Sequence, residues 1–419
     1  MFKLPDVMSD KKDSIQEIRL FVTRLFLSSN GIFLLALFSF AFFLAFAFLT
    51  GPVESIDTLS YSRWADLLIF VDFNFFAFAN ELTNLHIPYI LFIFTVASLK
   101  LGLGEYWIYG LLTLNCLSLS ISGYILMRIL QETKVGFLEL FLVFLVNILL
   151  YESFFWSRYL LSDTTFCLIS TAFLYSSYCM INRSPRTVIS FIFPLGIFFV
   201  GFLYRPTAII FLPLLCLAFL FSYQGKRRVL ITQIFFALII ILGLAVLIFW
   251  AWYIKRPELW DGSILNQPIS RAHHWFHEGA VIKKRLHTYL PVPESAYDIL
   301  KIELVRLFQF FRFTTPMFST THNLVNAVSF LPLYSLALIG IWRTMILLYR
   351  DNRPDFIGIL SIIFIGSVAV FHSMILIDYD WRYRLPCYPP IFLLAAGGVS
   401  FLKQRFQVSN VRGSAGQAT

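Results

Sequence analysis

The run LSSNGIFLLALFSFAFFLAFAFLT, residues 27–50, followed at once by the break Gly51-Pro52, decides the fold class. It is long enough to cross the hydrocarbon core of a bilayer, which takes roughly 20 apolar residues. The rest of the 419-residue chain is similar, with 58% hydrophobic residues, 14% charged residues and a mean hydropathy of +0.75. Ordinary soluble domains carry about a quarter charged residues, so this composition excludes a cytosolic protein.

Ten apolar stretches have the character of spanning helices. They are residues 27–50, 106–127, 136–152, 163–181, 187–203, 206–223, 229–252, 323–349, 356–377 and 385–402. The sequence therefore predicts an all-α polytopic membrane protein with about ten transmembrane helices. The shorter run 88–103 carries Lys100, and we assign it to an interfacial or re-entrant helix. It belongs to a long first external loop, residues 51–105.

Basic residues predict the orientation of the chain. With the N-terminus in the cytoplasm, the net charge of +9 divides into +10 on the cytoplasmic side and −1 on the external side, as the positive-inside rule requires. The basic pI therefore needs no nucleic-acid partner. The expected organisation is an N-terminal transmembrane catalytic module, a long external loop, C-terminal transmembrane helices and a flexible cytoplasmic tail. These segments are residues 1–252, 253–322, 323–406 and 407–419.

The cysteines and clustered histidines offer no strong metal site. All five cysteines lie within or at the ends of apolar runs without CxxC spacing, which is typical of small core residues. His273 and His277 have the i, i+4 spacing that a zinc site could use, with His274 between them. The pattern HHxxHE is not HExxH, however, and it favours a polar loop helix.

Ionisable residues cluster after the first span. In SIDTLSYSRWA, residues 55–65, the side chains of Asp57, Tyr61 and Trp64 share one helical face. Asp57 so placed could act as a general base, or hold a metal ion or an ammonium group. The alternative is structural, because Asp57 would also serve as the N-cap of a helix over 58–70.

Two further groups lie in turns between spans. Asp163 opens the fourth span in RYLLSDTT, residues 158–165, where it could be a second acid, a helix N-cap or the partner of Arg158. Arg205 stands in the break Tyr204-Arg205-Pro206, where a guanidinium could bind a phosphate bidentately. The alternative for Arg205 is an anchor that extends to the membrane interface.

The last group precedes the final span in DYDWRYRLP, residues 378–386. Asp378, Arg382 and Arg384, with Tyr383 among them, exceed what an interfacial aromatic belt requires. Acids and arginines at one membrane face suit an amphipathic substrate whose anionic headgroup is bound by arginine while a carboxylate activates the attacking group.

At these residues the sequence resembles the GT-C superfamily, the multi-span glycosyltransferases that use polyprenyl-phosphate sugars. It is most similar to the bacterial branch related to protein O-mannosyltransferases and aminoarabinose transferases. The matching pieces are Asp57 with Tyr61 and Ala65, Ser162-Asp163, Tyr204-Arg205-Pro206, and Asp378 with 382–386, Pro389 and the small residues 395–398. The resemblance implies that Asp57 is the general base, Asp163 a second acid and Arg205 a lipid-phosphate contact.

Two positions depart from the family pattern. Relatives often have a second acid after the first, whereas Thr58 stands here, so no metal ligand is assigned and a divalent metal stays open as a cofactor. Relatives often carry a charged residue before the proline of an interfacial helix, and here His86 is the substitute near Pro88. The remaining substrate-binding candidates are Tyr61, Arg63, Asp378, Arg382, Tyr383 and Arg384.

The expected function is therefore transfer of a hexosyl or pentosyl group from a polyprenyl-phosphate donor. The acceptor would be a hydroxyl of a lipid, glycan or protein at the external or periplasmic face of the plasma (inner) membrane, as in the assembly of cell-envelope glycans. A polymerase or ligase acting on lipid-linked glycans is the first alternative. A transporter is the second, although the sequence has no evident inverted repeat.

Overall fold

The computed structural model describes residues 28–81, 89–133, 135–182, 189–222, 296–315, 318–350, 355–374 and 381–415. Within those ranges the chain is helical, and its single β contact is an isolated parallel bridge between Val53 and Tyr159. The predicted all-α class is confirmed for this part of the chain.

The helices follow the apolar runs of the sequence. In chain order they are α1 (Ser29–Thr50), α2 (Ile56–Phe70), α3 (Phe75–Glu81), α4 (Ile90–Leu103), α5 (Trp107–Glu132), α6 (Phe137–Leu149), α7 (Tyr151–Ser157), α8 (Asp163–Asn182), α9 (Ile189–Tyr204), α10 (Phe211–Ser222), α11 (Ala296–Phe311), α12 (Thr320–Tyr349), α13 (Phe356–Met374) and α14 (Tyr388–Ala415). Short 3-10 turns cover Gly104–Tyr106, Pro206–Ile210 and Trp381–Cys387.

The polytopic membrane class is confirmed, but the count of ten spans is not. Among the described residues, six helical stretches are long and apolar enough to cross a membrane. They are Ser29–Thr50, Ile90–Glu132, Asp163–Asn182, Thr320–Tyr349, Phe356–Ser373 and Trp381–Gln407. The pair α6 and α7, bent by 49° at its break, makes a seventh if it is one span, while α9 and α10 are shorter apolar helices. The predicted stretch 229–252 lies outside the described residues.

The long first loop contains three helices, and one ion pair fixes two of them together. Lys100 on α4 binds Asp66 on α2 at 2.7 Å and donates to the hydroxyl and the carbonyl of Ser62 at 2.7 and 3.1 Å. The 14 residues of α4 form the first part of the stretch Ile90–Glu132, so they are not separated from the candidate span that contains α5. The interfacial placement of α4 stays a prediction.

Two predicted segments contain more helix than expected. The long loop 253–322 includes α11 and the start of α12 in its described part, and α14 continues past Gln407 into the predicted tail as far as Ala415. The core itself gathers around α8, which packs against α5, α9, α10 and the turn Trp381–Cys387. Cys116, Cys167 and Cys387 are buried there, which confirms that these cysteines are core residues.

Candidate functional site

The site begins where the end of α1 meets the turn before α8. The backbone N–H of Val53 donates to the carbonyl oxygen of Arg158 at 2.9 Å, and the backbone N–H of Leu160 donates to the carbonyl oxygen of Val53 at 3.2 Å. The guanidinium of Arg158 donates to the carbonyls of Gly51 and Thr50 at 2.9 and 2.7 Å, which satisfies groups that a helix end leaves without partners. Arg158 therefore caps α1, and it is not the partner of Asp163.

Asp57 is free of the capping role that its position suggested. Ser55 is the N-cap of α2: its hydroxyl accepts from the N–H of Thr58, and the Thr58 hydroxyl accepts in return from the N–H of Ser55 at 3.0 Å. The Thr58 hydroxyl also donates to the carbonyl of Leu160 at 3.1 Å, which fixes the first turn of α2 beside α8. The carboxylate of Asp57 instead binds the guanidinium of Arg382 at 2.7 Å.

Arg205 is not the isolated cation that the sequence indicated. Its guanidinium forms an ion pair with the carboxylate of Asp163, and both side chains are buried. The charges of this pair compensate each other inside the protein, where neither would be tolerated alone. The interpretation of Arg205 as an interfacial anchor is therefore wrong, because its charged group points to an internal acid.

Tyr383 joins these two ion pairs. The Cζ atom of Arg382 lies 5.3 Å from the centroid of the Tyr383 ring, and the Cζ atom of Arg205 lies 5.6 Å from the same centroid. Both distances fall in the range of cation–π attraction. We call Asp57, Asp163, Arg205, Arg382 and Tyr383 the Tyr383 cluster. Segments that are far apart in the chain thus contribute to a single site at one end of the helices.

Tyr61 lies in an aromatic wall beside this cluster. Its ring centroid is 4.8 Å from that of Phe92, 5.5 Å from that of Tyr89 and 5.6 Å from that of Trp64. Burial, followed by the nearby Tyr89, raises the pKa of the Tyr61 hydroxyl well above its usual value. Tyr61 is therefore a neutral hydrogen-bond donor and aromatic surface at the site.

Arg384 belongs to a separate, internal network. Its guanidinium binds the carboxylate of Glu152, with Nε at 3.0 Å, and contacts the Tyr388 hydroxyl at 3.1 Å and the carbonyl of Arg312. It also lies over the ring of Trp381 at 4.5 Å. With this set of partners and almost no exposed surface, Arg384 connects α7 to the start of α14. The geometry favours a structural role over the predicted substrate contact.

The other predicted site residues divide into two groups. Arg63 is exposed on α2 and has no hydrogen-bond or ion-pair partner within the described residues. His86, Asp378 and the histidines at 273–277 lie outside the described residues.

Sequence reasoning missed His372. Its ring stacks on Tyr383 with the centroids 4.6 Å apart and the planes 5° apart, and the side chain is buried. Such stacking restricts the orientation of the tyrosine ring on which both arginines lie. The available signal was a lone ionisable residue near the end of an apolar run, in FHSM at 371–374.

No metal centre is evident in the part of the chain that the structure describes. No group of three or more His, Cys, Asp or Glu side chains there could hold a metal ion. The chain matches no protein-family model, no curated protein and no solved structure. The fold and the Tyr383 cluster therefore define an all-α, multi-pass membrane protein with paired acids and arginines at one end of its helices.

Proposed function

We propose that this protein is a glycosyltransferase that moves a sugar from a polyprenyl-phosphate donor to an acceptor hydroxyl at the external face of the plasma membrane. The supporting observation is the Tyr383 cluster, in which the 44% exposed carboxylate of Asp57 lies beside the guanidinium of Arg382. An accessible carboxylate can activate a hydroxyl as a general base, and a neighbouring guanidinium can bind a phosphate.

The reaction requires one displacement. Asp57 accepts the proton of the acceptor hydroxyl as its oxygen attacks the anomeric carbon, and the bond from that carbon to the phosphate oxygen breaks. The phosphate leaves as an anion that the arginines of the cluster stabilise. Because phosphate is a good leaving group, no general acid is needed, and a single displacement inverts the anomeric centre.

The two carboxylates have different tasks in this scheme. Asp163 is buried with Arg205, so it cannot exchange protons readily with an acceptor and instead holds Arg205 beside Tyr383. Asp57 is the exposed member and is the group that meets the acceptor. The polyprenyl tail would lie in the bilayer along the apolar helices, with its phosphate at the Tyr383 cluster.

The test compares two carboxylates of the same helix. Purified protein is incubated with radiolabelled polyprenyl-phosphate sugars, and transfer is measured for wild type, Asp57→Asn and Asp66→Asn. Loss of the general base should reduce turnover by about 100-fold or more in Asp57→Asn. Asp66 is the matched control, because it also forms a 2.7 Å ion pair from α2, with Lys100, but lies outside the Tyr383 cluster.

Asp66→Asn should transfer sugar near the wild-type rate, because the Asp66 side chain is 63% exposed and Lys100 keeps its hydrogen bonds to Ser62. Wild-type turnover in Asp57→Asn would contradict the assignment of the base. Transfer only from lipid-diphosphate glycans would instead indicate a polymerase or ligase, and no transfer from any lipid-linked sugar would contradict the proposed class of enzyme.

A further inference from the structure

We propose that Arg382 is a phosphate-binding residue. Its guanidinium binds the carboxylate of Asp57 until a phosphate arrives, and the phosphate then displaces this carboxylate. The inference rests on the proposed function in one respect, the identity of Asp57 as the base. It adds an order of events: phosphate must bind before Asp57 is released to act on a hydroxyl.

The first support is the difference between the two ion pairs on Tyr383. In the inner pair, Arg205 and Asp163, the side chains are only 7% and 6% exposed. In the outer pair, Arg382 is 16% exposed and Asp57 is 44% exposed. Breaking the inner pair would leave buried charges without compensation, whereas breaking the outer pair returns its acid to solvent. Of these two pairs, only the outer one can open at small cost.

The second support is the way each partner is held. Arg382 lies in the turn Trp381–Cys387, next to Tyr383, whose ring it contacts and which His372 stacks upon. Asp57 sits in the first turn of α2, where Ser55 and Thr58 already satisfy the helix cap. Removing the carboxylate from Arg382 therefore costs α2 no capping interaction. The arginine is the fixed member of the pair and the acid is the exchangeable one.

The third support is charge balance. The carboxylate of Asp57 lies 2.7 Å from the guanidinium of Arg382, so an anion that binds this arginine would meet repulsion from Asp57 unless that acid moved away. A phosphate on Arg382 can form two parallel charge-assisted hydrogen bonds, which gives it a basis for replacing a carboxylate whose side chain is 44% exposed. Once released, the Asp57 carboxylate no longer accepts from Arg382 and its oxygens are available to a hydroxyl.

This exchange predicts that removing the acid tightens binding of the phosphate. Dodecyl phosphate and inorganic phosphate are titrated calorimetrically into purified wild type, Asp57→Asn, Asp66→Asn and Arg382→Gln in neutral detergent. Asp57→Asn should lower the Kd by about fivefold or more, since it removes both the competing partner and a repulsive charge. Arg382→Gln should raise the Kd by about 10-fold or more. Asp66→Asn should leave it unchanged.

The two ligands separate the sources of the phosphate. Equal shifts for both would mean that the site recognises the phosphate alone, and a shift confined to dodecyl phosphate would mean that it recognises a lipid headgroup. Both patterns support the exchange. Asp57→Glu is the control for a general effect of substitution at this position. It keeps the negative charge, so it should not bind phosphate more tightly than wild type.

An unchanged or weaker affinity in Asp57→Asn, with Asp66→Asn at the wild-type value, would overturn the inference. That result is distinguishable from failure of the proposed function, because binding is measured without any transfer. Loss of turnover without tighter binding would leave the glycosyltransferase proposal standing and remove the exchange. Tighter binding in a protein that transfers no sugar would support the exchange and contradict the glycosyltransferase proposal.

Discussion

Asp163 and Arg205 show that burial makes each member of an ion pair depend on its partner. Their ion pair is enclosed by aromatic side chains, with the Cζ atom of Arg205 5.8 Å from the ring centroid of Phe166 and 5.6 Å from that of Tyr383. A buried pair adds little net stability, because desolvation offsets the attraction. Loss of one partner, however, leaves the other charge buried without compensation. Single substitutions here therefore test the fold as well as the activity.

We expect Asp163→Asn and Arg205→Gln each to destabilise the protein by about 3 to 5 kcal/mol. The double variant should be more stable than either single variant, because no uncompensated charge remains. Thermal unfolding in detergent measures this coupling. Asp66→Asn is the control that should shift the unfolding temperature little, because the Asp66 side chain is 63% exposed. Additive losses in the double variant would contradict the buried pair.

The sequence indicated which residue types form the site, but not which residues pair. Asp57, Asp163, Arg205 and Arg382 were all candidates because ionisable groups near apolar runs are costly. Their partners depend on how distant helices pack, and no local pattern contains that information. His372 was missed for the same reason, since its role follows only from the position of Tyr383.

At the scale of elements, the apolar runs predicted where helices lie, but they did not predict how the helices are capped or which helices pack together. The predicted start of the fourth span at residue 163 coincides with the start of α8. The N-cap of α2 was misassigned because Asp57 and Ser55 are both good capping residues, and contact between Thr58 and Leu160 favours Ser55. The helix–helix crossing of α12 and α14 depends on small residues, and the sequence analysis did not predict it.

Gly340 on α12 and Gly398 on α14 allow the backbones of these helices to touch. A Cβ atom at Gly340 would collide with the carbonyl oxygen of Leu394, and one at Gly398 would collide with that of Leu336. Close contact through small residues is a common way for membrane helices to associate. Because the obstructing atoms are backbone, no side-chain rearrangement can relieve the collision.

Gly340→Ala should therefore destabilise the protein by about 1 to 3 kcal/mol or more. Gly366→Ala on α13 is the matched control, because a Cβ atom there has no neighbour within 4 Å. That control should be neutral or slightly stabilising, since alanine favours a helix interior by up to about 1 kcal/mol. Thermal unfolding of both variants provides the comparison, and equal unfolding temperatures would refute the close crossing.

At the scale of the whole molecule, the charged groups separate toward the two ends of the helices. The Tyr383 cluster lies at the end where α1 and α9 finish and α2 and α8 begin. At the other end, Arg343 on α12 pairs with Asp355 at 2.7 Å, and Ser400 on α14 donates to Glu139 at 3.1 Å. The distribution of basic residues predicts that the first end faces outward. The helix packing alone is compatible with either orientation.

Labelling of single introduced cysteines tests that orientation. Glu54 is exposed three residues before Asp57, and Gln404 is exposed one residue beyond Lys403 at the opposite end. In a background whose five native cysteines are replaced by alanine, Glu54→Cys should react with a membrane-impermeant maleimide in intact cells. Gln404→Cys should react only after permeabilisation, because the basic loops favour the cytoplasm. Labelling of both positions from outside would contradict the bundle that spans the membrane between them. Labelling of position 404 alone in intact cells would place the Tyr383 cluster in the cytoplasm and remove the external-face assignment of the proposed transferase.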